Sequence, residues 1–235
     1  RLAHTMNTML KRLEDSQARE RRFVSDASHE LRSPVATIRQ HAEVALAHPE
    51  SSSIESFAQH VLSEDLRLQR LVEDLLLLAR TDELKSGPRA AVDLDDVVFE
   101  ELERLKHITK KEVDGTGVSA GRVEGDRGRL SRLVANLLEN AARHASGGVA
   151  VSLGEVGDEV VLTVDDDGPG IAPGDRHRVF ERFVRLEEAR DRDSGGTGLG
   201  LAIVAEVTRS HGGSARVLES PRGGARFEVR LPRAV

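Results

Sequence analysis

Two apolar stripes of helical spacing, divided by one short turn, limit this chain more than any other feature of its sequence. Leu2, Met6, Met9, Leu10 and Leu13 recur three or four residues apart, and the stripe resumes at Val24, Ala27, Leu31, Val35, Ile38, Ala42 and Ala45. That period predicts a long amphipathic helix. Pro34 lies inside it without an N–H for the preceding turn, so a kink is expected there. His48-Pro49-Glu50-Ser51-Ser52-Ser53 reads as a turn. Ser52 and Glu55 have capping-box spacing and would start a second helix. That helix carries Ile54, Phe57, Val61, Leu68, Leu71, Val72, Leu75 and Leu78 and ends near Thr81-Asp82. Two helices joined by so short a turn form an antiparallel hairpin. One hairpin cannot bury both stripes, whereas two copies packed as a four-helix bundle can, so a homodimer through residues of about 20–82 is expected.

The pattern changes after Glu83-Leu84-Lys85-Ser86-Gly87-Pro88-Arg89, whose Gly-Pro content marks a linker, assigned to residues 83–91. Beyond it a helix is expected from Leu94 to about Lys106, and another from the N-cap Asp126 to about His144. Residues 149–153 and 159–164 read as a strand pair, as do 215–218 and 225–231. Asp175–Arg182 reads as a short helix and Leu199–His211 as a longer one. The order lacks the regular β-α-β alternation of a doubly wound sheet. The fold class expected is α+β: a dimeric antiparallel helical hairpin (residues 17–82), then an α/β sandwich (residues 92–235).

Composition removes several kinds of chemistry. The chain of 235 residues has no cysteine, which excludes disulfides, thiolate catalysis and cysteine-based zinc sites. Its 34 Lys and Arg against 40 Asp and Glu leave a net charge of −6, and there is no Trp or Tyr. An acidic chain without Trp or Tyr is poorly suited to nucleic acid, and none is expected as a partner. No apolar run approaches the roughly 18–20 residues that cross a bilayer.

Four stretches carry candidate chemistry. In Phe23-Val24-Ser25-Asp26-Ala27-Ser28-His29-Glu30-Leu31-Arg32-Ser33-Pro34, His29 lies two residues from the stripe residue Leu31. At about 100° per residue it points roughly 200° away and is exposed. A neutral imidazole is nucleophilic, and Glu30 could accept a hydrogen bond from its other nitrogen, fixing the tautomer. Taken alone, His29 is also simply one surface histidine among nine. In Asn136-Leu137-Leu138-Glu139-Asn140-Ala141-Ala142-Arg143-His144, Asn136 and Asn140 share a helix face. Their amide oxygens could meet a hard cation and phosphate oxygens, with Arg143 available to phosphate. The same pattern also suits the polar side of an ordinary amphipathic helix. Asp165-Asp166-Asp167-Gly168-Pro169-Gly170-Ile171 follows a strand; it could accept an exocyclic amine, hold a cation, or be a plain turn. Gly195-Gly196-Thr197-Gly198-Leu199-Gly200-Leu201 opens a helix and could cradle phosphate on its amides, but it has neither Walker nor dinucleotide spacing. Between the last two lie Arg178–Arg185 and the charged, apolar-poor 186–194, which reads as a lid over a nucleotide.

In order and spacing these stretches resemble the boxes of sensor histidine kinases. The sequence around His29 resembles the phosphoacceptor box, and Asn136–His144 the asparagine box. Asp166-x-Gly168-x-Gly170 resembles the first glycine box, Arg178–Phe183 the phenylalanine box, and Gly196–Gly200 the second glycine box. Residues 1–16 resemble the end of a HAMP signalling helix. The resemblance implies autophosphorylation of His29 by Mg-ATP, with Glu30 as general base, and transfer to an Asp of a response-regulator receiver domain. It implies Asn140 as the main Mg²⁺ ligand with Asn136 assisting. Arg143, His144, Asp166, Gly168, Gly170, Gly196, Thr197, Gly198, Leu199 and Gly200 would bind ATP, Asp166 reading the adenine amine. It also implies a cytoplasmic portion of a cell-membrane protein, held by an upstream segment. The family commonly has Thr or Asn where Ser33 stands, four residues after the phosphoacceptor; the hydroxyl is placed to support dephosphorylation of the partner. Two other classes fit parts of the sequence: a nucleotide-switched ATPase of the gyrase and Hsp90 type, and a non-catalytic dimerisation module.

Overall fold

The computed structural model describes residues 2–48, 53–79, 89–185 and 197–234, which fall into two compact units meeting at residues 76 and 77. The first consists of helix α1 (Leu2–Ala47) and most of helix α2 (Ile54–Ala79). No break in α1 separates residues 2–16 from those that follow. Nor does Pro34 interrupt it, although that residue leaves the Glu30 carbonyl without its helical donor. One missing bond in a helix of 46 residues does not end it. The cap of α2 lies one residue later than the sequence pattern suggests. Ser53 Oγ accepts from Ser56 N–H at 3.0 Å, and Ser53 O from Phe57 N–H. Ser52 lies outside the described residues.

α1 and α2 approach each other where the rings of His41 and His60 stack, with centroids 4.5 Å apart. Leu71 and Leu78 are buried. Much of the two stripes is not. Val24 and Val35 on α1 are 58% and 55% exposed, and Ile54 and Val72 on α2 are 87% and 44% exposed. Among the described residues, no helix is long and apolar enough to cross a membrane.

The second unit is a sheet carrying a helical layer. Its strands are β1 (Ala90–Asp93), β2 (Glu112–Val118), β3 (Arg122–Gly125), β4 (Gly148–Val156), β5 (Glu159–Asp166), β6 (Ser214–Glu219) and β7 (Ala225–Pro232). The five-stranded sheet has the order β2-β4-β5-β7-β6, and β1 pairs with β3 separately. Only β2 and β4 are parallel; the other pairs in both sheets are antiparallel. The helices are α3 (Leu94–Ile108), α4 (Arg127–His144) and α5 (Gly200–Ser210). β1 begins at Ala90, inside the stretch read as linker. β1, β2 and β3 were not among the expected strands. Residues 175–182 form turns with a single 3-10 turn at Arg178–Phe180 rather than a helix.

The core follows from two periods meeting. Val160, Leu162 and Val164 alternate along β5, and Phe227, Val229 and Leu231 along β7, all buried. α4 lays Leu130, Leu133, Val134, Leu137, Leu138 and Ala141 into the same core. Each of its large side chains contributes about 1.5–3 kcal/mol by leaving water. Asp126 caps α4, its Oδ1 accepting from Arg129 N–H at 3.0 Å. His211 ties that cap to the end of α5. Its Nδ1 meets the Val207 carbonyl at 2.7 Å, and its Nε2 accepts from Asp126 N–H at 3.3 Å. Burial holds this imidazole below its usual range, which suits a neutral ring donating at one nitrogen and accepting at the other.

Candidate functional site

The period of β5 decides where its terminal carboxylates go. Asp166 follows Val160, Leu162 and Val164 at steps of two, so it stands on the helix-facing side of the sheet at the strand's last residue. Asp165 faces the other way, where Arg226 binds both its oxygens at 2.8 Å. Asp166 is 1% exposed. Its Oδ1 accepts from Gly168 N–H at 2.9 Å and from Ala225 N–H at 3.1 Å. Two amides on one oxygen fix the carboxylate's rotation and leave Oδ2 for another donor.

α4 lies on the same side of the sheet. Asn136 and Asn140, one turn apart, are both half-buried, and Arg143 and His144 form its last turn. Asn136 Nδ2 donates to Arg132 O at 2.8 Å, so the amide presents its oxygen to the start of α5. A Cβ on Gly200 would come within 2.7 Å of that oxygen, which only glycine avoids at this approach. Asn136 of the expected amide pair and Gly200 of the expected helix start are thus brought together.

The segment before α5 is pinned at its base. Gly198 (φ +69°) accepts at its carbonyl from Phe183 N–H at 2.9 Å. Thr197 Oγ1 accepts from Leu199 N–H, and Leu199 is fully buried. Leu199 is therefore a packing residue, and Phe183 is held at φ +61° opposite Gly198. Gly170 also has positive φ (+74°). Gly196 and the stretch 186–194 read as a lid lie outside the described residues.

These positions suit a nucleotide with a hard cation. A buried carboxylate with one spare oxygen matches an exocyclic amine, and an oriented amide oxygen beside a helix start matches a cation shared with phosphate. Among the described residues, no three His, Asp or Glu side chains cluster to hold a metal. A cation here would therefore depend on amide oxygens together with its ligand's own oxygens.

In the hairpin unit, His29 and Ser33 are exposed, one turn apart on α1, and Glu30 is half-buried. The helical phase read from the sequence thus agrees with the exposure of His29. Two contributors near the nucleotide-type site were given no role of their own by the sequence, although Asp167 lies inside the Asp165–Ile171 stretch. Asp167 collects three backbone amides, and Lys111 reaches the end of α4 from across the fold.

The chain matches the His Kinase A (phospho-acceptor) domain over residues 19–84 and the histidine kinase-, DNA gyrase B-, and HSP90-like ATPase over residues 125–235. It is 37% identical over 223 residues to the sensor-like histidine kinase SenX3 of Mycolicibacterium smegmatis, covering 92% of this chain and 58% of that protein. To the signal transduction histidine-protein kinase/phosphatase MprB of Mycolicibacterium paratuberculosis it is 38% identical over 247 residues, covering 99% of this chain and 47% of that one. Among solved structures, mycobacterial sensor histidine kinase MprB superposes with a TM-score of 0.57 at 37% identity, covering 61% of this chain and 98% of that chain. The chain spans about half the length of the curated relatives it matches.

Proposed function

As this chain belongs to the sensor histidine kinases of two-component systems, we propose that it phosphorylates its own His29 with the γ-phosphoryl group of Mg-ATP. The phosphoryl group then passes to an aspartate of a response-regulator receiver domain. One observation carries the reading: a single chain holds an exposed histidine on a helical hairpin and, in its other unit, a buried carboxylate at a strand end together with an oriented amide at a glycine-flanked helix start.

In this reading Asp166 Oδ2 accepts from the adenine amine. Asn140 and Asn136 would hold Mg²⁺ by their amide oxygens, and Arg143 and His144 would bind the phosphates. The Gly168–Gly170 and Gly196–Gly200 stretches, with Thr197 and Leu199, shape the pocket. Bound Mg²⁺ would neutralise charge on the β- and γ-phosphate oxygens. The neutral imidazole of His29 attacks the γ-phosphorus in line. An N–P bond forms, the bond to the ADP oxygen breaks, and Glu30 takes the proton from the other ring nitrogen. Positioning and charge neutralisation supply most of the rate.

The exposed apolar faces of α1 and α2 support pairing with a second copy into a four-helix bundle. Use of ATP supports a cytoplasmic setting, and the family resemblance supports attachment to a membrane through a separate segment.

The discriminating experiment is chemical. Incubation with γ-labelled Mg-ATP is expected to yield a protein-bound label that acid removes and alkali does not. ATP turnover without a bound label would instead favour the switched ATPase reading, and no Mg-ATP binding by calorimetry would favour the non-catalytic module.

Ser33 has a second role on the same helix face. Its hydroxyl would orient the water that removes the phosphoryl group from the partner's aspartate. Ser33→Ala is expected to slow that dephosphorylation by about tenfold or more while leaving labelling of His29 in place. Equal dephosphorylation by the two proteins would remove Ser33 from the mechanism.

A further inference from the structure

α4 ends beside the proposed nucleotide site, and its last carbonyls have no helical donors. Lys111, just before β2, supplies them. Its Nζ donates to Ala142 O at 2.7 Å and also to Ala145 O, the C-cap residue. An ammonium is favoured at this end of a helix dipole. Beyond the cap the chain turns its amides onto a charge of opposite sign. Asp167 accepts from Ser146 N–H at 2.7 Å, from Gly147 N–H at 3.0 Å and from Gly148 N–H at 3.1 Å. The Gly147 and Gly148 amides, with Ser146 adding to them, hold the Asp167 carboxyl below the usual range. Between the two clamps the carbonyl of His144 lies so close to Gly168 that no Cβ would fit there. The last turn of α4, bearing Arg143 and His144, is thereby tied to the start of β2 by Lys111, and the residues that follow it are tied to the stretch Asp166–Gly170 by Asp167.

We propose that Lys111 and Asp167 are positioning residues of the nucleotide site, fixing the last turn of α4 relative to Asp166. They act through the backbone of α4 and the glycine stretch rather than by touching the reacting atoms. This rests on the ATP-binding reading above. The geometry makes a specific demand: loosening either clamp lets the phosphate-facing end of α4 drift from the adenine-facing carboxylate, which weakens binding of a ligand that spans both. The in-line chemistry at His29 takes place in the other unit's helix and is affected less.

The test uses the full chain. Lys111→Met keeps the alkyl stem and removes the donor, Lys111→Arg keeps the charge, and Asp167→Ala removes the acceptor. The readouts are the KM for ATP, the limiting rate of His29 phosphorylation, displacement of a fluorescent ATP analogue, and the thermal midpoint. Lys111→Met and Asp167→Ala are expected to raise KM and the analogue's Kd about tenfold, with the limiting rate held within about twofold. Lys111→Arg is expected to restore most of the loss. A lowered midpoint with unchanged KM and Kd would show that the clamps only stabilise the fold, and a fall in limiting rate without a change in KM would equally overturn the proposal. If Lys111→Met does not fold, Asp167→Ala and the milder Lys111→Gln carry the same readouts, and unmoved nucleotide affinity in both refutes it. A wild-type chain that binds no nucleotide would refute the ATP reading itself, whereas wild-type binding with unmoved variants refutes only the positioning role.

Discussion

His29→Gln is expected to lose all protein-bound label from γ-labelled Mg-ATP while binding nucleotide as the wild type does. Glutamine is close to histidine in size and polarity, but its amide nitrogen shares its electron pair with the carbonyl and cannot attack phosphorus. His29 is exposed on α1. Substitutions at such positions usually change stability by no more than about 0.5 kcal/mol, so a folding defect would not confuse the result. Nucleotide affinity should be unmoved, because the residues proposed to contact ATP lie in the other unit. Persistent label on His29→Gln would place the acceptor elsewhere, among the chain's other histidines or outside histidine altogether.

Asp166→Asn is expected to weaken nucleotide binding by about a hundredfold with little loss of stability. The two amides that donate to Oδ1 require an acceptor, which forces the asparagine oxygen into that position. The amide nitrogen must then stand where Oδ2 was and would present hydrogens to the adenine amine. Two donors facing each other in a buried site repel, and each is left without a partner. The backbone bonds survive, so the thermal midpoint should stay near that of the wild type. Asp166→Ala removes both functions and should lower stability as well. Equilibrium binding of ATP to the two variants, read beside their midpoints, separates recognition from anchoring. Asparagine binding ATP as tightly as aspartate would refute the assigned role of Asp166.

Much of this was legible because the informative segments are long or strongly periodic. α4 could be read with its cap because Asp126 precedes six core residues at helical spacing. The strand was legible over residues 159–164, but the direction of Asp166 was not, because it depends on β5 continuing two residues further in the same alternation. The segments that escaped have weak local signals. β1 and β3 are four residues each and exist by pairing with one another. β2 contains Gly115 and Gly117, and its pairing with β4 shifts register between Asp114 and Gly117. Gly115 lies against Leu102 of α3 too closely for a side chain, a constraint set by packing rather than strand propensity. The start of α2 moved from Ser52 to Ser53 because consecutive serines offer equivalent caps, and only the hydrogen bond to Ser56 chooses between them. Residues 175–182 have helical spacing but only enough regular backbone for one 3-10 turn. Lys111 could not have been singled out at all. Its acceptors lie 31 and 34 residues further along the chain, and nothing in its own neighbourhood points to them.

The exposed apolar faces of α1 and α2 carry a thermodynamic consequence. If the proposed pairing with a second copy covers them, the hairpin's folding free energy would depend on protein concentration, through the mass action that governs any obligate association. The α/β unit, with its core closed by its own helices and strands, has no such dependence. The two halves of the chain would then obey different laws on dilution: one would keep its stability, and the other would weaken with the logarithm of concentration. Under the proposed function, the fraction of chains ready to accept a phosphoryl group would depend on how many chains are present, and the abundance of the protein would itself be an input to its output.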